Sequence, residues 1–211
     1  MKTRSLILAT ALAAAAVPHA DAGFHLFDIQ EIYSNADGSV QFIELFTTAA
    51  NQQFVSGHTI TLQTLSGTSL NNVMNPAFTF SGTGPSPTDN KTYLIGTANL
   101  GTLYGVTPDF VLPTNFLQVV GGSANKRVNF ASNTDIVNLG TVGVGNLPLN
   151  GSQSLDGLVN DSNPANFAIN SQASPRNFAG QTAMIPEPGS IAMVALGALA
   201  LGSSIFARRR R

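Results

Sequence analysis

Cysteine and tryptophan are both absent from the 211 residues. Without thiols there is no disulfide framework, no thiolate zinc site and no cysteine nucleophile. Charge is scarce as well, at 10% of residues against roughly 25% in an average soluble protein. The formal net charge of −1 argues against a protein that holds nucleic acid by neutralising phosphates. Of three histidines, only His25 and His58 fall in the central part of the chain. Neither belongs to an H-x-x-x-H or H-E-x-x-H pattern, so a zinc site built on paired histidines is not expected. No G-x-S-x-G elbow occurs. Ser123-Ala124-Asn125-Lys126 matches S-x-x-K in letters. Catalytic versions of that motif open a helix, whereas Gly121, Gly122 and Asn125 predict a turn. The expected body is therefore non-catalytic, with no cofactor and no metal.

What charge there is gathers at the ends. Lys2 and Arg4 precede an apolar run from Leu6 to Val17, followed by Ala20-Asp21-Ala22. A basic start, a short apolar middle and an A-x-A end form the pattern of a secretory signal peptide over residues 1–22. Ala20 and Ala22 supply the small side chains that signal peptidase accepts, which predicts cleavage after Ala22. At the other end, Ile191 to Ala207 carries no charge. The span from Gly189 to Ala207, 19 residues, makes about 28 Å of helix at ~1.5 Å per residue, enough to cross a hydrocarbon core. Arg208, Arg209, Arg210 and Arg211 follow and predict a cytoplasmic end. Ahead of the span stands Pro186-Glu187-Pro188, which holds the chain extended. An extended, unpaired backbone is a form that a protease binds as a strand.

In that order, Pro-Glu-Pro, apolar span and arginine cluster, residues 185–211 resemble the PEP-CTERM sorting signal of Gram-negative bacteria. The resemblance implies processing by an exosortase near Pro186, Glu187 and Pro188. The helix of residues 189–207 would then anchor the chain in the inner membrane only transiently. The body would pass from the periplasm to the cell surface or extracellular matrix. A plain transmembrane anchor after a Pro-rich linker is the alternative.

Residues 23–184 carry four basic and nine acidic side chains, a net charge of −5. Runs rich in β-branched and aromatic residues, broken by Gly, Pro, Asn and Ser, predict many short strands. Leu26 to Tyr33 and Val40 to Phe46 flank Asp37-Gly38, a hairpin signal. Further strands are expected at 59–65, 77–80, 92–95, 116–120, 127–130, 135–139, 155–159 and 166–169. One short helix is expected at 98–104, and residues 82–87 read as a surface loop. The pattern predicts an all-β, antiparallel β-sandwich.

Ile29-Gln30-Glu31-Ile32-Tyr33 followed by Gln41-Phe42-Ile43-Glu44-Leu45 is similar to the opening hairpin of bacterial lamin-tail domains. Val55-Ser56-Gly57, Tyr93-Leu94-Ile95-Gly96, the stretch 129–139 and Ser174-Pro175-Arg176-Asn177 are similar to later landmarks of that family. The resemblance implies an immunoglobulin-like sandwich. His58, where the family commonly has Trp, and Arg176, where it has Gly, depart from the pattern.

Two groups of oxygen ligands remain. Glu31 and Glu44 lie on the two arms of the predicted hairpin; if they face one another, like charge raises one pKa. Such a pair would bind a cation, act as an acid, or accept hydrogen bonds from nearby backbone or hydroxyl groups at the sheet edge in a structural role, and the last is favoured. Asp156, Asn160, Asp161 and Asn163 lack the order and closing Glu of a calcium loop. The preferred reading is an exported protein whose body binds exopolysaccharide, a protein partner or itself, and no nucleic acid. The alternative is a secreted hydrolase acting on polysaccharide or nucleic acid through carboxylates.

Overall fold

Alternation of large apolar residues with polar ones marks the main strands, and the computed structural model shows how they pair. It describes residues 23–66, 69–72, 77–120, 125–140, 145–157 and 167–186. The expected signal peptide, Glu187, Pro188, the membrane span and the arginine tail lie outside them. Among the described residues no helix is long and apolar enough to cross a membrane.

Strands β1 (Asp28–Ser34) and β2 (Gln41–Thr47) form the expected antiparallel hairpin. Its turn is fixed chemically. The Asn35 Oδ1 accepts the Val40 N–H at 3.0 Å, and Asp37 Oδ1 accepts the Ser39 N–H at 3.0 Å. Gly38 follows at φ +68°, the left-handed region that a side chain disfavours. A bulge interrupts the pairing between Ile29 and Glu31. Strict alternation would put Ile29 and Glu31 on one face. The extra residue, Gln30, resets the phase, as bulges do. Ile29 and Ile32 thereby both enter the main core, while Glu31 and Tyr33 turn to the other face.

The remaining elements are β3 (Thr59–Ser66), β4 (Ser69–Asn72), β5 (Phe78–Thr79), β6 (Lys91–Gly96), α1 (Asn99–Tyr104), β7 (Phe110–Val111), β8 (Lys126–Phe130), β9 (Asp135–Leu139), β10 (Ser154–Gly157) and β11 (Phe167–Asn170). One sheet has six strands in the order β11-β10-β1-β2-β6-β7. All its pairs are antiparallel except β6 with β7, which run parallel across α1. The second sheet runs β4-β3-β8-β9, with β5 also on β3. Ile29, Ile43, Leu45, Tyr93, Ile95 and Leu155 of the first sheet share one buried core with Ile60, Leu62, Val128, Phe130, Val137 and Leu139 of the second. The fold is thus all-β, two sheets packed on a common core.

Most expected strands stand within a residue or two of their forecast bounds. The run 116–120 does not: Leu117–Val119 is a 3-10 turn. Phe116, Leu117 and Val120 are all buried, a spacing that suits a helical turn better than a strand. The Leu117 N–H also donates to Gln41 Oε1 at 3.2 Å.

A second, smaller core lies on the outer face of the six-stranded sheet. Tyr33, Val40, Phe42 and Leu94 meet Leu100 and Val106 there, with Ala173 and Ile185 from the end of the described chain. Residues 173–185 fold back on themselves as a narrow ribbon. The Ile185 N–H donates to the Ala173 carbonyl at 2.9 Å and the Ala183 N–H to the Pro175 carbonyl at 3.3 Å. Arg176 bridges Thr182. The packed body therefore runs past residue 184 to Ile185, which has no exposed surface.

Candidate functional site

The pairing of β1 with its neighbours puts three carboxylates in one rung. Glu31 stands opposite Glu44 of β2 on one side and opposite Asp156 of β10 on the other. Directly opposed residues on one face of a sheet lie roughly 4.5–5.5 Å apart at Cβ. All three project from the outer face, because the bulge at Gln30 sets the phase of β1. They are central in the sheet, not at an edge. Glu31 and Glu44 are each only 3% exposed.

The ribbon covers them. In an extended backbone the N–H groups of alternate residues point the same way, and Ser174 and Arg176 use this. The Ser174 N–H donates to Glu31 Oε1 at 3.1 Å and its hydroxyl to Oε2 at 3.4 Å. The Arg176 N–H donates to Glu44 Oε1. Between them Pro175 has no N–H, and its carbonyl faces the ribbon's other arm. The two glutamates thus serve the ribbon as acceptors where a neighbouring strand would stand.

Burial pushes the Glu31 carboxyl up to about 7; the Ser154 hydroxyl and the Ser174 N–H oppose the rise, and the charge of Asp156 adds to it. Burial pushes Glu44 up to about 8, with the charge of Glu31 the next cause; the N–H and guanidinium of Arg176 act against it. The two titrate as a pair, so the direction belongs to both. The hydroxyl of Ser154 is fully buried, close to Glu31 and in no well-aligned hydrogen bond. Asp156 is raised too, by burial, while Asn170 Nδ2 donates to its Oδ2 at 3.2 Å.

Beside the carboxylates lies a hollow of about 510 Å³, lined by Gln30, Glu31, Glu44, Asp156, Ser174, Arg176, Thr182, Ala183 and Met184. A second hollow of about 280 Å³ has Tyr33, Tyr104, Asn150 and Pro186 in its wall. Pro186, the first residue of the Pro-Glu-Pro motif, therefore rests against the body.

Of the other candidates, His25 and His58 both pack on the ring of Phe24. Asn125 has φ 59° and Lys126 opens β8; Ser123 and Ala124 lie outside the described residues. So do Asn160, Asp161 and Asn163. Among the described residues no group of three or more His, Asp or Glu side chains is arranged to hold a metal ion. Sequence reasoning singled out the Glu31–Glu44 pair, but not Asp156, Ser154, Ser174 or Arg176 as its neighbours. Nothing in local spacing links residues more than a hundred positions apart. Compared with known proteins, the chain matches no family model, no curated protein and no solved structure.

Proposed function

We propose that the protein is exported, held transiently in the inner membrane and released by an exosortase to the cell surface or extracellular matrix. Its body, in this reading, is an immunoglobulin-like sandwich of the lamin-tail kind, non-catalytic, that binds exopolysaccharide, a partner protein or itself. The observation that carries the reading is the C-terminal order of Pro186-Glu187-Pro188, a charge-free span and Arg208 to Arg211. The packing ahead of the motif is consistent with it, since Ile185 is still fully buried and the motif starts at the next residue. A cut within or after Pro-Glu-Pro leaves the ribbon in place. The buried carboxylates favour a binding or structural body over a hydrolase, because both glutamates are engaged by the ribbon's backbone.

Deletion of residues 187–211 tests the sorting. It spares Ile185 and Pro186, so the body keeps its packing. The expected result is loss of the protein from the surface and matrix fractions, with the shortened body recovered in the periplasm. Normal surface or matrix levels of the deleted form would end the proposal. Broad hydrolase assays on the purified protein, with activity lost in Glu31→Gln, would instead establish the enzymatic alternative.

A further inference from the structure

The ribbon is fastened in an unusual way. A chain segment that closes a sheet face ordinarily relies on apolar contacts and on backbone partners that do not titrate. Here two N–H groups of one ribbon arm, Ser174 and Arg176, end on two carboxyls set opposite one another in the sheet. We propose that residues 171–186 form a pH-sensitive strap, closed over the outer face at acid and neutral pH and released when Glu31 and Glu44 ionise together.

The charges that act on the pair come from β10 and from the ribbon. Asp156 on β10 adds a third carboxylate to the rung. The ribbon itself brings Arg176, whose side chain is exposed and so is screened by water. Leu94 faces Glu44 from β6, and Ala168 faces Asp156 from β11; both are neutral. With one proton on the pair, a single charge is shared beneath the strap. Removing it leaves adjacent like charges in a buried place, with one screened cation to answer them. The hollow lined by both glutamates and Asp156 gives water and protons a route to the latch without prior unfolding.

Opening the strap uncovers a defined surface. Ala173 and Ile185 withdraw from the apolar patch of Tyr33, Val40, Phe42, Leu94, Leu100 and Val106. The far turn of the ribbon is held by a single carboxylate, Asp109, with no second acid acting on it, and by an amide. Asp109 Oδ2 accepts the Phe178 N–H at 2.9 Å, and Asn177 Nδ2 donates to the Thr107 carbonyl at 2.9 Å. Release therefore begins at the glutamates and at Ile185, not at the turn. This inference does not depend on the sorting proposal, because every group in it belongs to the body.

Hydrogen–deuterium exchange on the full-length chain in detergent, corrected for the intrinsic pH dependence of exchange, tests it between pH 6 and 9. Amides of Ser174, Arg176, Ala183 and Ile185 are expected to lose about tenfold or more of their protection across that range. Amides of β3 and β8 are expected to remain more protected than the ribbon throughout. Glu44→Gln keeps an acceptor for the Arg176 N–H and is expected to remove most of the pH dependence; Glu31→Gln gives the same test through Ser174. Ribbon amides that exchange together with β3 and β8 at every pH would overturn the proposal. So would a ribbon whose protection does not change with pH, or a loss that persists when both glutamates are replaced by Gln.

Discussion

Glu44 shows how much one buried side chain holds in this protein. Its oxygen accepts the Arg176 N–H, and its neighbour across the rung is another acid. Truncation and neutralisation should therefore differ sharply. Glu44→Ala leaves the Arg176 N–H without its acceptor and opens a cavity, an expected cost of about 2–4 kcal/mol at pH 6. Glu44→Gln retains the shape and the acceptor, so at pH 5, where the wild-type carboxyl is protonated, the two proteins should agree within about 1 kcal/mol. At pH 9 the ranking should reverse in favour of Gln, because the wild type then buries a charge beside Glu31. Urea unfolding at pH 5, 6 and 9 measures all three. Asp135 is a second such residue: its Oδ2 accepts the Ile29 N–H at 2.6 Å and its Oδ1 the Ile136 N–H at 2.7 Å, tying β1 of one sheet to β9 of the other. Asp135→Ala should cost about 1–3 kcal/mol in the same assay. The hairpin that carries Glu31 and Glu44 was readable from the Asp-Gly turn and the two flanking runs, but the register that sets them face to face comes from the structure. The role of Asp135 was not, because its partner sits 106 positions away.

The ribbon illustrates what local pattern leaves out. It carries Ser, Pro, Asn, Gly, Gln and Thr between scattered apolar residues, a pattern that reads as loop. It is ordered by what it meets: the carboxylates, the Asp109 carboxylate and the apolar outer face. Local rules served the long strands well, because β1, β2, β3, β6, β8 and β9 each carry their own alternation and turn residues. They served the 3-10 turn at Leu117–Val119 poorly; its Leu117 N–H ends on Gln41 of another strand, a contact no local pattern shows. The loop 82–87 was readable as loop, but not its seat against the sheet. A Cβ on Gly84 would lie 2.4 Å from the Tyr93 hydroxyl, so Gly84→Ala should cost about 1–3 kcal/mol through overpacking. For the ribbon, deletion of residues 171–211 compared with deletion of 187–211 isolates its contribution. Losing Ile185 and Ala173 and uncovering Phe42 and Leu94 should lower stability by on the order of 3–6 kcal/mol. Only the larger deletion should bind a hydrophobic dye strongly.

Taken together, the body is a fold that carries its acids inside. Glu31, Glu44, Asp109, Asp135 and Asp156 are all raised, in each case first by burial. Asp37, on an exposed turn and hydrogen-bonded by Ser39, is lowered and acts the other way. The sign of the linkage follows from proton uptake. A carboxyl with a raised folded pKa binds more protons in the folded than in the unfolded chain across the interval between its two values. Stability is therefore greatest at and below the ordinary carboxylate range. It falls as pH rises from the unfolded values near 4.5 for both glutamates, levelling off above about 7 for Glu31 and about 8 for Glu44. The sparse basic residues of 23–184, four against nine acids, add a general self-repulsion of the same sign. Calorimetry on the full-length chain in detergent should give a body unfolding midpoint that falls between pH 5 and about pH 8 and levels off from there to pH 9. The loss over that range should be on the order of 2–5 kcal/mol. Replacing both Glu31 and Glu44 by Gln should remove most of the slope while leaving the part due to the aspartates. A midpoint that instead rises between pH 5 and 9 would mean that these carboxyls are charged and satisfied in the folded state, contrary to the burial that surrounds them.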